Sequence, residues 1–244
     1  MRIVNIINYF FVGRKAMEFS MKKYLLLIIS VINTAITALY LALMPSGNIP
    51  MHYGINGSVD RYGSKWELML FPCILLVISI AFLIYSFFTK NDVNESKNKK
   101  YINRMICGLY TVFFILLWTF TLAATKGIEN IGAFVPSLIL ILMGVLMIFI
   151  GNMYGKIKQN RTFGIKIRAT LKSERVWKKT HRLGGYLAVV NGIIWIICGI
   201  VSFFMSTPSL WLLLPCLIVM IILMVIVPIV YAEVLYHKEK QHNF

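Results

Sequence analysis

Six long apolar stretches constrain the fold of this 244-residue chain more than any other feature of its sequence. A helix needs about 20 apolar residues to cross roughly 30 Å of hydrocarbon. None of the six stretches contains Asp, Glu, Lys, Arg or His. The sequence therefore predicts an all-α integral membrane protein with six transmembrane helices. The predicted spans are 24–43, 69–88, 105–125, 134–150, 185–206 and 210–231.

Basic residues alternate along the chain and predict its orientation. Lys and Arg outnumber Asp and Glu by 25 to 9, and most of them lie before the first span, after the second, after the fourth and in the tail. In the other connections, the only basic residues are Arg61, Lys65 and Lys126. Because Lys and Arg are enriched in cytoplasmic loops, both termini are predicted to be cytoplasmic. This bias also explains the net charge of +16, and no nucleic-acid motif occurs.

The spans divide the chain into five regions. Apolar residues on one helical face of the first region predict a cytoplasmic or interfacial helix, unless translation starts at Met17 or Met21. That face is formed by Ile3, Ile6, Ile7, Phe10 and Phe11. The regions are 1–23, the N-terminal segment; 24–88, spans 1 and 2 with the loop between them; 89–133, a linker with span 3; 134–206, spans 4 and 5 with a basic loop; and 207–244, span 6 and tail.

The polar and sulfur-bearing residues inside the spans suggest packing rather than chemistry. Asn33, Thr37 and Asn191 can hydrogen bond across helices, although they would also suit a polar path through a transporter. The four cysteines lie singly in apolar surroundings without metal-ligand spacing, so no disulfide or metal site is expected. No cofactor motif occurs either.

The predicted outer loop, residues 44–66, contains the dipeptide Asn56-Gly57. This pair favours a two-residue type I′ turn, which predicts a small β-hairpin between spans 1 and 2. His52 and Asp60 could form a metal site or an acid–base pair. A structural hydrogen bond is the favoured interpretation, because a third ligand is missing. A contact of Asp60 with Arg61 or Lys65 would also pin the loop.

The predicted inner loop, residues 151–184, is strongly basic, with ten Lys and Arg residues against the single acid Glu174. Such a surface attracts anionic lipid headgroups. Ser173 is a good N-cap for a short helix leading into span 5. We expect the less polar side of that helix, with Val176 and Trp177, to lie along the membrane interface. The basic residues are Lys156, Lys158, Arg161, Lys166, Arg168, Lys172, Arg175, Lys178, Lys179 and Arg182.

Both loops resemble parts of one known family. The outer motif resembles the small membrane domain of unknown function found at the start of SdpI-type proteins, and it comprises Ile49, Pro50, Met51, His52, Gly57, Asp60, Gly63 and Lys65. The inner motif is similar to the SdpI signature itself. It comprises Gly151, Asn152, Asn160, Phe163, Gly164, Ile165, Thr170, Leu171, Trp177, Thr180, His181 and Arg182. Lys166 and Ala169 stand where the family usually has Arg and Trp.

The resemblance implies a non-enzymatic immunity or sensor protein of the bacterial cell membrane. It implies a secreted antimicrobial peptide toxin as the outer partner and a cytoplasmic transcriptional repressor as the inner partner. The candidate outer recognition residues are Pro50, His52, Gly57, Asp60 and Lys65. The candidate inner contacts with a partner or lipid are Asn152, Asn160, Phe163, Arg168, Thr170, Trp177, His181 and Arg182.

Two other function classes compete with this one. A small transporter or lipid-handling protein would use the polar span residues. An enzyme acting on lipid headgroups would need His52 or His181 as a base, but paired carboxylates and a nucleophile with a base are missing from the sequence. We therefore predict that the protein is not an enzyme.

Overall fold

A computed structural model describes residues 24–54, 56–88, 93–205 and 210–242. The described chain is mainly helical and contains six helices that are long and apolar enough to cross a membrane. The six predicted spans are thereby confirmed. The predicted N-terminal helix lies outside the described residues, as does the connection between the fifth and sixth predicted spans.

The chain forms two compact units. The first contains helix α1 (Tyr24–Leu43), a 3-10 turn (Lys65–Met69) and helix α2 (Leu70–Phe88). Ser30 lies between its two helices, because its hydroxyl donates to the Leu26 carbonyl of its own helix (2.8 Å) and approaches the Leu75 carbonyl of α2 (3.5 Å). This pairing is typical of small polar residues within membranes.

The second unit contains a two-stranded hairpin and the remaining helices. Strands β1 (Asn48–Tyr53) and β2 (Val59–Ser64) pair antiparallel. The helices are α3 (Val93–Thr125), α4 (Phe134–Tyr154), α5 (Arg168–Lys172), α6 (Glu174–Phe204), α7 (Leu210–Ile221) and α8 (Val227–His242). A π-helical segment, Ile222–Ile226, joins α7 to α8. It makes the sixth span one long irregular helix.

Helices α4 and α6 form the most extensive helix pair in the described chain. A seven-residue repeat of small residues lines each helix and returns to the same face after two turns. Cβ atoms added at Gly144 and Gly192 would lie 2.6 and 2.5 Å from each other's carbonyl oxygens, and those at Gly151 and Gly185 would do so at 2.7 and 2.8 Å. The backbones therefore touch, as small residues allow in membranes. The repeat comprises Ser137, Gly144 and Gly151 on α4 and Gly185, Gly192 and Gly199 on α6.

Three helices extend well beyond the predicted spans. Helix α3 begins at Val93, α6 begins at Glu174 and α8 ends at His242, each about three turns outside its apolar stretch. The helix predicted before span 5 is therefore the first part of α6 itself. Its expected N-cap is confirmed, because the Ser173 hydroxyl accepts from the Val176 N–H (3.2 Å). The apolar stretches missed these extensions because the extensions are rich in polar residues, such as the exposed Arg175, Lys178 and Lys179 of α6.

The cysteines are free thiols. Cys216 of α7 is buried against Cys198 of α6 in a cluster with Leu140 and Trp195. These two side chains thus meet across helices, which the sequence did not predict. No group of three or more His, Cys, Asp or Glu residues suited to a metal occurs in the described ranges.

Replacement of Gly192 by Ala should loosen the α4–α6 pair. The added carbon would contact the Gly144 carbonyl at 2.5 Å, and no rotamer change can relieve a contact between backbones. We expect a loss of about 1–3 kcal/mol, as for other overpacked sites. Ala is the better helix former, so any loss must come from this contact. The measurement is thermal unfolding of the purified protein in detergent.

The control for this substitution is Val190→Ile, which also adds one carbon to α6. Val190 is 49% exposed, so the extra methyl group meets no protein atom that must move. An equal melting temperature for Gly192→Ala and Val190→Ile would contradict the proposed close packing.

Candidate functional site

The hairpin of the outer loop is held against a second loop. This loop, residues 126–133, joins α3 to α4. The Val59 N–H donates to the Glu129 carbonyl (2.9 Å), and the Ile131 N–H donates to the Gly57 carbonyl (3.0 Å). The Tyr53 hydroxyl donates to the Ile128 carbonyl (2.8 Å). Two loops that are far apart in sequence therefore form one folded surface, which we call the outer platform after the predicted side of the hairpin (residues 48–54, 56–64 and 126–133).

The turn of the hairpin differs from the predicted one. The strands end at Tyr53 and resume at Val59, so their connection is longer than two residues. The Gly57 N–H donates to the Gly54 carbonyl (2.8 Å), which makes Gly57, with a φ of +78°, the last residue of a turn rather than a central one. The predicted two-residue type I′ turn is therefore wrong, although the hairpin is confirmed. The Asn56 side chain instead accepts from the Ser58 N–H (3.1 Å), which stabilises a longer loop.

The candidate outer residues occupy different environments. His52 and Asp60 are exposed and joined by a 2.6 Å contact between Nδ1 and Oδ1, so the expected structural hydrogen bond is present. Pro50 and Gly57 are buried in the platform. Lys65 belongs to the other compact unit, where its ammonium group donates to the Met44 carbonyl. Only His52 and Asp60 of these five present exposed polar groups in the hairpin.

A pocket adjoins the outer platform. Its volume is about 440 Å³, and it lies between the end of α3, the 126–133 loop and the start of α4. The lining is largely apolar, with Leu122, Ile131 and Phe134 beside the exposed Lys126 and Asn130. Such a lining suits an apolar group that carries a polar or anionic end.

The inner loop is a folded structure rather than a slack connection. Asn98 of α3 is fully buried and pairs with the backbone of Lys158, donating to its carbonyl (2.8 Å) and accepting from its N–H (2.7 Å). The Gln159 amide donates to the Thr170 carbonyl (2.7 Å). The extended N-terminal part of α3 therefore anchors residues 158 and 159.

Asn160 organises the next turn. Its side-chain oxygen accepts from the N–H groups of Thr162 (2.9 Å) and Phe163 (2.7 Å), and its amide donates to the Lys158 carbonyl (2.8 Å). Phe163 packs against the apolar cluster around Trp177. Asn160 thus satisfies backbone groups that the loop would otherwise leave unpaired, and its role is structural.

His181 and Trp177 form the centre of the inner loop. Both are buried, and their rings stack at 4.0 Å. The Trp177 indole donates to the Ile157 carbonyl (2.9 Å). His181 Nε2 accepts from the Ile165 N–H (3.1 Å), which leaves Nδ1 to donate to the Trp177 carbonyl (2.9 Å). A neutral imidazole with its proton on Nδ1 satisfies both bonds, so His181 holds the loop and is not placed as a base for catalysis.

Gly164 permits this arrangement. It has a φ of +118°, and a Cβ atom there would collide with His181 Nε2 and lie 3.1 Å from the Trp177 ring. Only glycine combines this backbone conformation with such a close approach.

Thr170 closes the other end of the loop. Its hydroxyl accepts from the Ile167 N–H (3.1 Å) and donates to the Ile165 carbonyl (2.7 Å). Ala169 and Val176 pack against Ala232 of α8. The Ser173 hydroxyl also donates to Glu239 near the end of α8 (2.7 Å). The extended part of α8 therefore supports α5 and the start of α6.

The eight candidate inner residues thus separate into two groups. Asn160, Thr170, Trp177 and His181 are buried, and Phe163 is half-buried beside them. The remaining three, Asn152, Arg168 and Arg182, are exposed. The expectation that Trp177 and Val176 lie along the membrane interface is wrong, because both face the loop and α8.

All ten basic residues of the inner loop are exposed. The buried framework therefore presents a cationic surface, and the exposed residues are the ones available to a partner or a lipid. Sequence reasoning missed Asn98, Gln159, Tyr53 and the 126–133 loop as supports. Of the features that sequence reasoning missed, the regular spacing of small residues on α4 and α6 is the one that a sequence pattern could have revealed.

Comparison with known proteins agrees with the resemblance of the two loops. Residues 156–232 match the SdpI/YfhL protein family, and residues 28–76 match a domain of unknown function, DUF1648. The chain is 25% identical to the Immunity protein SdpI of Bacillus subtilis over 228 residues, which cover 91% of this chain and 99% of that protein. No solved structure matches. The chain is a multi-pass membrane protein with a region that matches the SdpI/YfhL family model.

Replacement of Gly164 by Ala should release the inner loop. The new methyl group would collide with His181, and the backbone would be strained as well. We expect faster tryptic cleavage within residues 156–168, by roughly tenfold for each 1.4 kcal/mol lost. The control is Gly127→Ala. Gly127 also has a positive φ, +65°, but nothing lies within 4 Å of an added Cβ atom. Equal cleavage of both variants at this loop would contradict the packing.

Two substitutions at His181 should separate packing from hydrogen bonding. His181→Leu leaves the Ile165 N–H without its acceptor, at a cost of about 1–3 kcal/mol. His181→Gln supplies an oxygen that can accept from the same N–H. Hydrogen–deuterium exchange at Ile165 should therefore accelerate more in His181→Leu than in His181→Gln. Identical exchange in both variants would show that this hydrogen bond does not hold the loop.

Proposed function

We propose that this protein is an immunity and sensor protein of the cell membrane that protects against, or responds to, a secreted antimicrobial peptide without catalysing a reaction. The main support for this proposal is the similarity to an immunity protein along 91% of the chain, which includes both loops. His52 and His181, the two candidate bases, are both engaged in hydrogen bonds. The exposed surfaces of the two loops therefore support binding roles.

The outer platform and its pocket are the proposed contact for the peptide. A membrane-active peptide is largely apolar, and the pocket offers Phe134 and Leu122 beside the charged Lys126. His52 and Asp60 add a polar edge on the hairpin. We infer that the pocket takes an apolar side chain while the platform fixes the peptide backbone.

Helix α3 joins the outer platform to the inner loop. Near its outer end, Phe120 packs edge-on against Tyr53 of the hairpin at 6.0 Å between ring centroids. Near its inner end, Asn98 anchors the loop backbone. This continuity supports a sensor role, in which peptide binding outside alters the cationic surface offered to a cytoplasmic transcriptional repressor inside.

The transporter or lipid-handling alternative has less support. Asn191 is fully buried, and its amide donates to the Met147 sulfur (3.1 Å). Asn33 and Thr37 are buried in the other compact unit, where the Thr37 hydroxyl donates to the Asn33 carbonyl (2.9 Å). These environments suit helix packing better than a polar path.

Expression of the protein in a peptide-sensitive bacterial strain tests the proposal. We expect survival to rise on challenge with a cognate secreted peptide, and we expect Phe134→Ala to lower that protection because Phe134 lines the pocket. The control is Phe203→Ala, since Phe203 has a similar exposure (53% against 57%) but does not line the pocket. No gain in survival with any secreted peptide tested would refute the immunity function, and equal protection by both variants would refute the assigned contact.

A further inference from the structure

Helix α6 carries a continuous exposed stripe along one face. Its apolar part has exposed fractions from 46% to 81%. At 100° per residue, all its members fall within about 80° of one another. The apolar members are Tyr186, Val190, Ile193, Ile197, Ile200 and Phe204. An exposed apolar stripe on a membrane-spanning helix faces lipid.

The length of this stripe matches the hydrocarbon core. Tyr186 and Phe204 are eighteen residues apart, which corresponds to about 27 Å at 1.5 Å per residue. The hydrocarbon core of a bilayer is roughly 30 Å thick. Both ends are aromatic, as is usual at the two membrane interfaces. Tyr186 therefore marks the boundary between acyl chains and headgroups.

The same face continues beyond this boundary with three exposed cations. Arg182, Lys179 and Arg175 lie one, two and three turns before Tyr186 and within the same sector of the helix. The Arg182 guanidinium donates to the Tyr186 hydroxyl (3.2 Å) and lies 5.7 Å from the centre of its ring. In the described part of the chain, no carboxylate forms an ion pair with these three residues. Their charge therefore has no protein counterion there.

We propose that Arg182 and Tyr186 form a binding site for the headgroup of an anionic phospholipid, and that Lys179 and Arg175 add positive charge farther out on the same face of α6. The acyl chains would lie along the apolar stripe, and the phosphate would meet Arg182 just above Tyr186. Arg182 is held at this boundary by its contact with Tyr186, so it needs little further ordering to bind a phosphate. Guanidinium groups bind phosphate through two parallel hydrogen bonds, which favours Arg at this position.

The position of these cations favours a lipid over an acidic protein. Other basic residues of the inner loop, such as Lys158 and Arg161, are exposed but lie in the loop that follows α4 and do not continue a lipid-facing helix stripe. A soluble partner can reach any of them. The α6 cations continue a surface of bilayer thickness, and Arg182, about 6 Å from Tyr186 along the helix axis, is the one that lies at headgroup depth.

Native mass spectrometry of the purified protein in detergent tests this site. The probes are phosphatidylglycerol and, as the neutral lipid, phosphatidylcholine. We expect phosphatidylglycerol to remain bound to the wild-type protein and phosphatidylcholine to dissociate. The triple substitution Arg175→Gln, Lys179→Gln, Arg182→Gln should weaken phosphatidylglycerol binding by at least about fivefold, the loss expected for one charge removed at the membrane surface.

The matched control removes three charges from the same loop through Lys158→Gln, Arg161→Gln and Lys166→Gln. It should leave phosphatidylglycerol binding within about twofold of wild type, because these exposed charges do not lie on the lipid-facing side of α6. An equal loss in both triple variants would show general charge attraction and overturn the site. So would unchanged binding in the α6 variant, or displacement of the lipid by a soluble acidic peptide.

Two further measurements keep the test independent of misfolding and of the immunity function. Arg182→Lys should bind phosphatidylglycerol better than Arg182→Gln, although both substitutions disturb the contact with Tyr186. If the α6 triple variant does not stay monodisperse in detergent, this single pair decides, and equal binding by the two would overturn the proposal. Lipid binding is measured without any peptide toxin, so its outcome does not depend on the survival experiment.

Discussion

The contact between the backbones of α4 and α6 is the constraint on which the second unit depends. Lipid supplies no hydrophobic driving force between helices, so association relies on close packing and hydrogen bonds. The small residues at Gly144, Gly151, Gly185 and Gly192 let carbonyl groups of one helix lie where side chains would otherwise be. This contact aligns the two helices along most of their length. It thereby fixes where α6 emerges from the membrane and where the inner loop must fold.

The inner loop is then assembled from the ends of helices that already have fixed positions. Asn98 on α3, Trp177 and His181 on α6 and Ala232 on α8 each hold a different part of it. The hydrogen bonds engage the polar atoms of Asn98, Asn160, Trp177 and His181. The cations of the loop are exposed and remain accessible. The buried motif residues determine the shape in which those cations are presented.

The separation between buried motif residues and exposed cations explains how much of the structure the sequence could predict. Helix number and the hairpin follow from hydrophobic run length and turn propensity, which are local properties. The motif residues were found by their resemblance to a family, but their roles were not evident, because Asn160 and His181 act through backbone groups brought together by folding. The turn geometry at Gly57 depends on residues 126–133, which lie far away in sequence. Local patterns cannot encode such contacts.

Helix α6 combines three environments on one continuous rod. One side touches α4 through glycine, a second faces lipid, and the buried residues of its first three turns hold the inner loop. The glycine side and the lipid side are about 120° apart around the helix axis. A rotation of α6 would therefore move the exposed Arg182 and would move His181 relative to Ile165 at the same time. Since glycine contacts resist such rotation by backbone collision, they fix both the exposed face of α6 and the residues of α6 that hold the inner loop.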